Sequence, residues 1–409
     1  MDLRRPAQYE GHRGSMPPLP DTPETLQHWL LTDARSCGTV PQLLEALAAR
    51  LRRSIPLHRL FCGTIVLHPQ AAAWAWIWLP ESPLRTLAFS FDEFQRLGQN
   101  DSPVRRLERG ANEVRRTAAQ GADGMLDVEE IFASGFTDFL ALSIHFRGEW
   151  VGAFTFATHH PEGFTPDHLA LLRSATYALE AAVEPLAQDL VTSALLQTYL
   201  GRDAGERVFQ GDVQRGDGEM LRAAVWMSDV RRFTWLSTHL APAELRELLN
   251  QVFETTVEVV EANGGQVLKF IGDGLLAVFL GDGDLACASA LRAALDQRLR
   301  IEQLRVDREA KGLLFTDVGV GLHYGDVNYG NIGAPGRLDF TVIGSAVNLA
   351  ARIEGLCSSL GQSVLASAAF KARAPADWEH CGDHRLKGVD EPVQIYAPGP
   401  WLNRLPVQR

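Results

Sequence analysis

At 409 residues the chain is too long for a single hydrophobic core, and its 46% hydrophobic and 22% charged residues are ordinary for a water-soluble globular protein. A net charge of −11 argues against a nucleic-acid-binding surface, although a local basic pocket for a small polyanion stays open. The longest apolar run, 71–79, is too short for a bilayer, and no apolar core follows Arg4 and Arg5 as a signal peptide requires. The five cysteines (Cys37, Cys62, Cys287, Cys357, Cys381) lack CxxC spacing and fit reduced thiols, so the expectation is a cytoplasmic protein with no membrane and no nucleic-acid partner.

In chain order, residues 1–22 are proline-rich without apolar periodicity and read as a disordered tail. Helical apolar spacing occupies 23–50, with Thr39 as an N-cap before Pro41. Strand patterns follow at 60–68 and 72–79, then loops and short helices from about 90 to 130. The runs 139–146 and 151–158 flank Arg147-Gly148-Glu149-Trp150 as a hairpin. Thr165 and Pro166 open a helix expected to end near Glu184, with Pro185 kinking or interrupting any continuation. Its apolar positions Leu172, Leu179, Val183, Leu186 and Leu190 suit either a parallel two-stranded contact or packing on its own domain. This order of helix, hairpin, variable middle, hairpin and exit helix resembles a GAF-type sensor domain over 23–185, with a PAS-type domain as the nearest alternative. Such a domain implies an input from an unknown small molecule or protein.

Residues 186–219 read as a helical linker, glycine-rich and polar from Gly201 to Gly218. A strand at 223–227 then leads to a long amphipathic helix at 242–262, ended by Asn263-Gly264-Gly265. A hairpin at 267–279, a helix at about 284–310 and strands at 318–323 and 327–332 complete a β-α-β-β-α-β order. The fold class is therefore α+β, with a ferredoxin-like domain over 220–398 and a tail at 399–409.

Two carboxylates stand out. Asp273 lies in the tight turn Gly272-Asp273-Gly274, and Asp229 closes the apolar strand before it. Either is an ordinary turn aspartate taken alone; together, at neighbouring strand ends, they can hold a pair of divalent cations. Only four of the 39 basic residues are lysines, and two of these, Lys269 and Lys387, stand beside Asp273 and in Arg385-Leu-Lys387-Gly.

Several ordered motifs give the chain a family resemblance. They are Ser228-Asp-Val-Arg-Arg-Phe-Thr-Trp-Leu-Ser237, Lys269-Phe-Ile-Gly-Asp273, Gly321-Leu-His-Tyr-Gly-Asp-Val-Asn-Tyr-Gly-Asn-Ile-Gly333, Arg337-Leu-Asp-Phe-Thr-Val-Ile-Gly344, Val347-Asn-Leu-Ala-Ala-Arg352-Ile-Glu354 and Leu386-Lys-Gly388. In joint order they resemble the class III nucleotidyl cyclases. The resemblance implies Asp229 and Asp273 as ligands of two Mg²⁺ (or Mn²⁺) ions per site. It implies Asn348 as the ribose-orienting residue and Arg352 as the transition-state arginine. Lys269 and Thr341 match the purine-recognition pair of an ATP-specific bacterial subgroup, because an ammonium donates to adenine N1 and a hydroxyl accepts from the N6 amine. Lys387, and more weakly Arg337, match phosphate contacts. The implied activity is conversion of ATP to 3′,5′-cyclic AMP and pyrophosphate by a homodimer with two shared active sites, with a guanylate cyclase or a catalytically weak nucleotide-binding regulator as the alternatives. One departure stands out, since Arg232 occupies the place of a usual glycine.

Overall fold

The structure is a computed structural model that describes residues 20–399. The expected tails at 1–22 and 399–409 fall almost entirely outside the described residues. The chain divides into two units between Thr192 and Ser193.

The first unit begins with α1 (Pro23–Leu31), a 3-10 turn (Asp33–Ser36) and α2 (Val40–Leu51). One continuous helix does not form here, because Thr39 accepts from the Gln42 amide and starts α2 afresh. Strands β1 (Arg59–Ile65), β2 (Ala73–Trp78) and β3 (Arg85–Phe89) follow, then α3 (Phe91–Leu97), α4 (Pro103–Glu108), β4 (Glu113–Thr117) and α5 (Leu126–Ala133). The expected hairpin is β5 (Asp138–Phe146) and β6 (Glu149–Thr158). All six strands form one antiparallel sheet in the order β3-β2-β1-β6-β5-β4. One sheet face packs with α1, α2 and the exit helix around Leu43, Trp76, Phe154 and Leu172. The other carries a smaller core around Val128, Phe139 and Ala153.

The exit helix α6 (Pro166–Leu200) departs from expectation by running on past Glu184. It continues through Pro185, where burial of Val183 and Ala187 in the core supports the backbone that proline deprives of one hydrogen bond. Leu172, Leu179 and Val183 are buried in the first unit's own core, so that stretch of the apolar seam is occupied, while Leu190 is 37% exposed.

The second unit takes in the end of α6 from Ser193 and then α7 (Arg202–Gln210), a helix where a glycine-rich linker was expected. It packs through Ala204, while Asp203 accepts from the Tyr329 hydroxyl at 2.7 Å and Arg207 lies over the Tyr329 and Phe340 rings. Then come β7 (Gly218–Val230), α8 (Phe233–His239), α9 (Pro242–Ala262), β8 (Gln266–Ile271), β9 (Gly274–Phe279) and α10 (Gly283–Ala310). Strand β10 (Val318–Ala334) is unbroken where two strands were expected, because Gly325 and Asp326 stay in register with Ala223 and Arg222 of β7. The rest is β11 (Arg337–Ile343), α11 (Ser345–Glu354), α12 (Cys357–Leu360), β12 (Val364–Ser367), α13 (Ala368–Lys371), β13 (Trp378–His384) and β14 (Val393–Pro398).

The sheet runs β13-β14-β12-β10-β7-β9-β8, with β11 paired to the far end of β10. Within it, β10-β7-β9-β8 with the connecting helices α9 and α10 gives the expected β-α-β-β-α-β connectivity. On one face Trp226, Ala277 and Phe279 meet Ala290 and Ala294 of α10. On the other Val225, Leu276 and Val278 share a core with Ala346 and Ala350 of α11. Full burial of a side chain such as Val225, Leu276, Val278 or Phe279 contributes about 1.5–3 kcal/mol, which helps fix the strand ends that carry the site.

Candidate active site

Antiparallel register places Asp229, the penultimate residue of β7, directly opposite Gly274 at the start of β9. Gly272, with φ of 64°, turns the chain between β8 and β9 and leaves Asp273 next to that pair. Gly274 has no room for a side chain, since a Cβ there would come within 2.7 Å of the Ser228 carbonyl oxygen. The two carboxylates therefore meet at one strand end. Burial first, then the Asp273 charge and a hydrogen bond between the two carboxyl groups, push Asp229 up to about 6. Two acids gathered at one strand end form a donor set that suits a hard divalent cation. Among the described residues no third His, Cys, Asp or Glu completes a coordination cluster, so phosphate oxygens and water would have to fill the remaining positions.

Lys269 sits on β8 beside a bulge that spans Val267 to Lys269. Its ammonium lies 3.7 Å from Asp339 Oδ2 on β11. Thr341 follows two residues later, on the same side of β11 as Asp339. Its Oγ1 is buried without a hydrogen-bond partner, a costly state for a hydroxyl. The structure thus brings the Lys269 ammonium up to β11, the strand that carries Thr341, and adds Asp339, which has no role in the sequence reading. The signal available for Asp339 was its i, i+2 spacing to Thr341 in a strand.

Helix α11 buries Ala346, Ala350 and Ile353, leaving Asn348 and Arg352 exposed one turn apart on its other side. Gly321 lets this helix approach β10, since a Cβ there would stand 2.4 Å from the Ala350 oxygen. Arg337 is exposed at the start of β11, opposite Ala334. Lys387 is exposed in the turn between β13 and β14, held by the neighbouring Leu386 in a small core. β13 and β8 are opposite edges of the sheet, so Lys387 and Lys269 come from different margins of the domain.

Two further residues at the site carry no role in the sequence reading. Arg231 Nη2 donates to Glu354 Oε1 at 2.7 Å, with side-chain exposures of only 12% and 9%. Glu354 is pushed up to about 7, chiefly by burial; Arg231 opposes the shift, and the Asp229 and Asp273 charges add to it.

Residues 219–396 match the family model described as the adenylate and guanylate cyclase catalytic domain, and this stretch is a class III adenylate/guanylate cyclase catalytic domain. The chain is 32% identical over 194 residues to the adenylate cyclase of Anabaena cylindrica, covering 45% of this chain and 38% of that protein's length. The solved adenylyl cyclase CyaB from P. aeruginosa is 28% identical, covering 45% of this chain and 96% of that one, with a TM-score of 0.42. The guanylyl cyclase Cya2 is 30% identical over 44% of this chain and 93% of its own, with a TM-score of 0.40.

Proposed function

We propose that the chain is an adenylate cyclase that converts ATP to 3′,5′-cyclic AMP and pyrophosphate. The observation that carries the choice of ATP is the placement of Lys269 beside the strand bearing the unpartnered Thr341 hydroxyl. Adenine offers an acceptor at N1 and a donor at N6, which complement an ammonium and a hydroxyl oxygen. Adenylate cyclase activity in the Anabaena relative supports the same reading.

Asp229 and Asp273 would hold Mg²⁺ or Mn²⁺, which when bound lowers the pKa of the ribose 3′-hydroxyl and neutralises phosphate charge. Asn348 orients the ribose so that the 3′-oxygen lines up with the α-phosphorus. Attack there expels pyrophosphate, and Arg352 stabilises the negative charge that spreads over the α-phosphoryl oxygens. Its guanidinium is planar and permanently charged, which suits that task. Lys387 and Arg337 contact the phosphate tail. Asn348 and Arg352 lie exposed on α11, away from the buried helix face, as residues acting on a partner protomer's substrate would. The working form in this reading is a cytoplasmic homodimer with two shared sites, driven by a GAF-type first unit. The single antiparallel sheet flanked by helices supports that sensory role.

Guanylate cyclase activity is the second reading, and Asp339 favours it. A carboxylate 3.7 Å from the Lys269 ammonium offers an acceptor to the N1–H of guanine. Cyclase assays of the purified protein with ATP and GTP, each in Mg²⁺ and in Mn²⁺, separate the two. Adenylate cyclase activity requires a several-fold preference for ATP; an equal or greater rate with GTP overturns it.

A further inference from the structure

Arg231 follows Asp229 by two residues, yet its side chain crosses to the neighbouring strand. Its Nη2 lies 1.3 Å from where a Cβ on Gly319 would stand. Gly319 is the residue directly opposite Asp229 in the β7–β10 ladder. Residues opposite one another in an antiparallel pair project to the same side with Cβ atoms about 4.5–5.5 Å apart. The guanidinium therefore occupies the cross-strand neighbour position of Asp229.

Its attachment is one-sided. Nη2 donates to Glu354 Oε1 at 2.7 Å and approaches the Glu354 carbonyl oxygen at 3.4 Å. Nε is buried and has no acceptor. The backbone is pinned as well: the Arg231 amide donates to the Asp317 oxygen at 2.8 Å, and the Thr316 hydroxyl donates to the Arg231 oxygen. The groups facing the guanidinium are Glu354 and the Cys357 thiol, with the charges of Asp229 and Asp317 also within its influence. A buried guanidinium with a spare donor, one side chain away from a pair of acids, has an obvious alternative partner. Charge-assisted pairing with Asp229 would satisfy Nε and neutralise one of the two acids.

We propose that Glu354 is a guard residue that holds Arg231 off the Asp229/Asp273 pair and so keeps those carboxylates open to a divalent cation. The inference rests on the reading of that pair as cation ligands. A guanidinium swung onto Asp229 would be an internal counter-ion competing for the same oxygens. Glu354 prevents this because it is the last residue of α11, and that helix end is fixed. A Cβ on Gly321 would stand 2.4 Å from the Glu354 nitrogen, so glycine there lets the helix end settle onto β10. Arg231 and Glu354 act here as positioning residues.

The test is Mn²⁺ binding to the full chain without nucleotide, read from the loss of the free-ion electron paramagnetic resonance signal. Glu354→Gln keeps the size of the side chain and removes its charge. Its expected effect is about a tenfold loss of Mn²⁺ affinity, the lower end of the range for partners that support metal ligands. Adding Arg231→Met to that variant removes the competing cation and should bring affinity back near the wild-type value. Arg231→Met alone should bind Mn²⁺ at least as tightly as wild type, and it serves if Glu354→Gln fails to fold. Undiminished binding by folded Glu354→Gln, no recovery in the double variant, or weakened binding in Arg231→Met overturns the guard role. Asp273→Asn separates the two levels. If it leaves Mn²⁺ binding intact, the cation site itself is wrong and the guard with it; if it abolishes binding while Glu354→Gln does not weaken it, only the guard fails.

Discussion

Lys269 and Asp273 are four residues apart, yet they keep different company: the Lys269 ammonium lies 3.7 Å from Asp339 on β11, while the Asp273 carboxyl meets Asp229 at the end of β7. The hairpin turn at Gly272 separates them, with Lys269 on β8 and Asp273 at the tip. In the reading proposed above, one hairpin would supply a base-reading ammonium and a cation-binding acid to different partners. That division is what two shared sites in a homodimer require.

Mixing two inactive variants tests the division. Asp273→Ala and Arg352→Ala should each abolish cyclic AMP formation while keeping the wild-type circular dichroism spectrum. After subunit exchange, half the dimers are mixed and each has one of its two sites intact, so about a quarter of wild-type activity should return. Confirmed exchange without recovered activity rules the shared-site arrangement out.

Base preference should follow the donor and acceptor pattern. Lys269→Glu combined with Thr341→Cys replaces a donor by an acceptor and removes the hydroxyl. The ratio of kcat/KM for ATP over GTP should fall by about tenfold or more, since each mispaired buried polar group costs roughly 1–3 kcal/mol. An unchanged ratio in an active double variant would remove both residues from the purine pocket.

Stability should depend on pH through the acid cluster. Asp229, raised from 3.8 to about 6, and Glu354, raised from 4.5 to about 7, hold protons in the fold that the unfolded chain has already released. The folded state thus binds more protons between about pH 4 and 7, and metal-free stability declines as pH rises through that window. Asp229→Asn should flatten the decline, as measured by urea unfolding at pH 5 and 7.5 in chelator. Mn²⁺ should raise Tm more at pH 7.5 than at pH 5, because protons compete for the same oxygens. A decline of undiminished slope in Asp229→Asn would remove that carboxylate as a source.

Arg232 carries a positive φ of 56° at the start of α8, where the usual family residue is glycine. A non-glycine residue in this region costs roughly 1–2 kcal/mol. Its guanidinium lies 4.6 Å from the centre of the Trp235 ring, a contact that returns about 0.5–1 kcal/mol at a partly exposed site. Arg232→Gly relieves the strain as it loses the stacking, and should raise stability by about 0–1.5 kcal/mol. Arg232→Ala keeps the strain and loses the stacking, so it should unfold at lower urea than Arg232→Gly. The reverse order would show that this backbone is not strained.

Much of this was written locally in the chain. Apolar periodicity placed α9 at Pro242–Ala262, Thr39 and Thr165 marked helix starts, and Gly272-Asp273-Gly274 marked the turn at the candidate site, because caps, turns and amphipathic faces depend on residues a few positions apart. The ordered motifs between Ser228 and Gly388 likewise mark the cyclase domain in the sequence itself. Tertiary structure decided what local signals could not. Core packing carried α6 through Pro185, where the missing proline amide and the ring's clash with the preceding turn argued for a break. Docking against Tyr329 accompanies a helix at 202–210, where composition suggested a linker. Long-range register kept β10 whole across Gly325-Asp326, and register again set Arg231 over Gly319 and joined it to Glu354, 123 positions away. Such partners leave no periodic trace in a sequence, since their proximity arises only when strands align and a helix closes onto them.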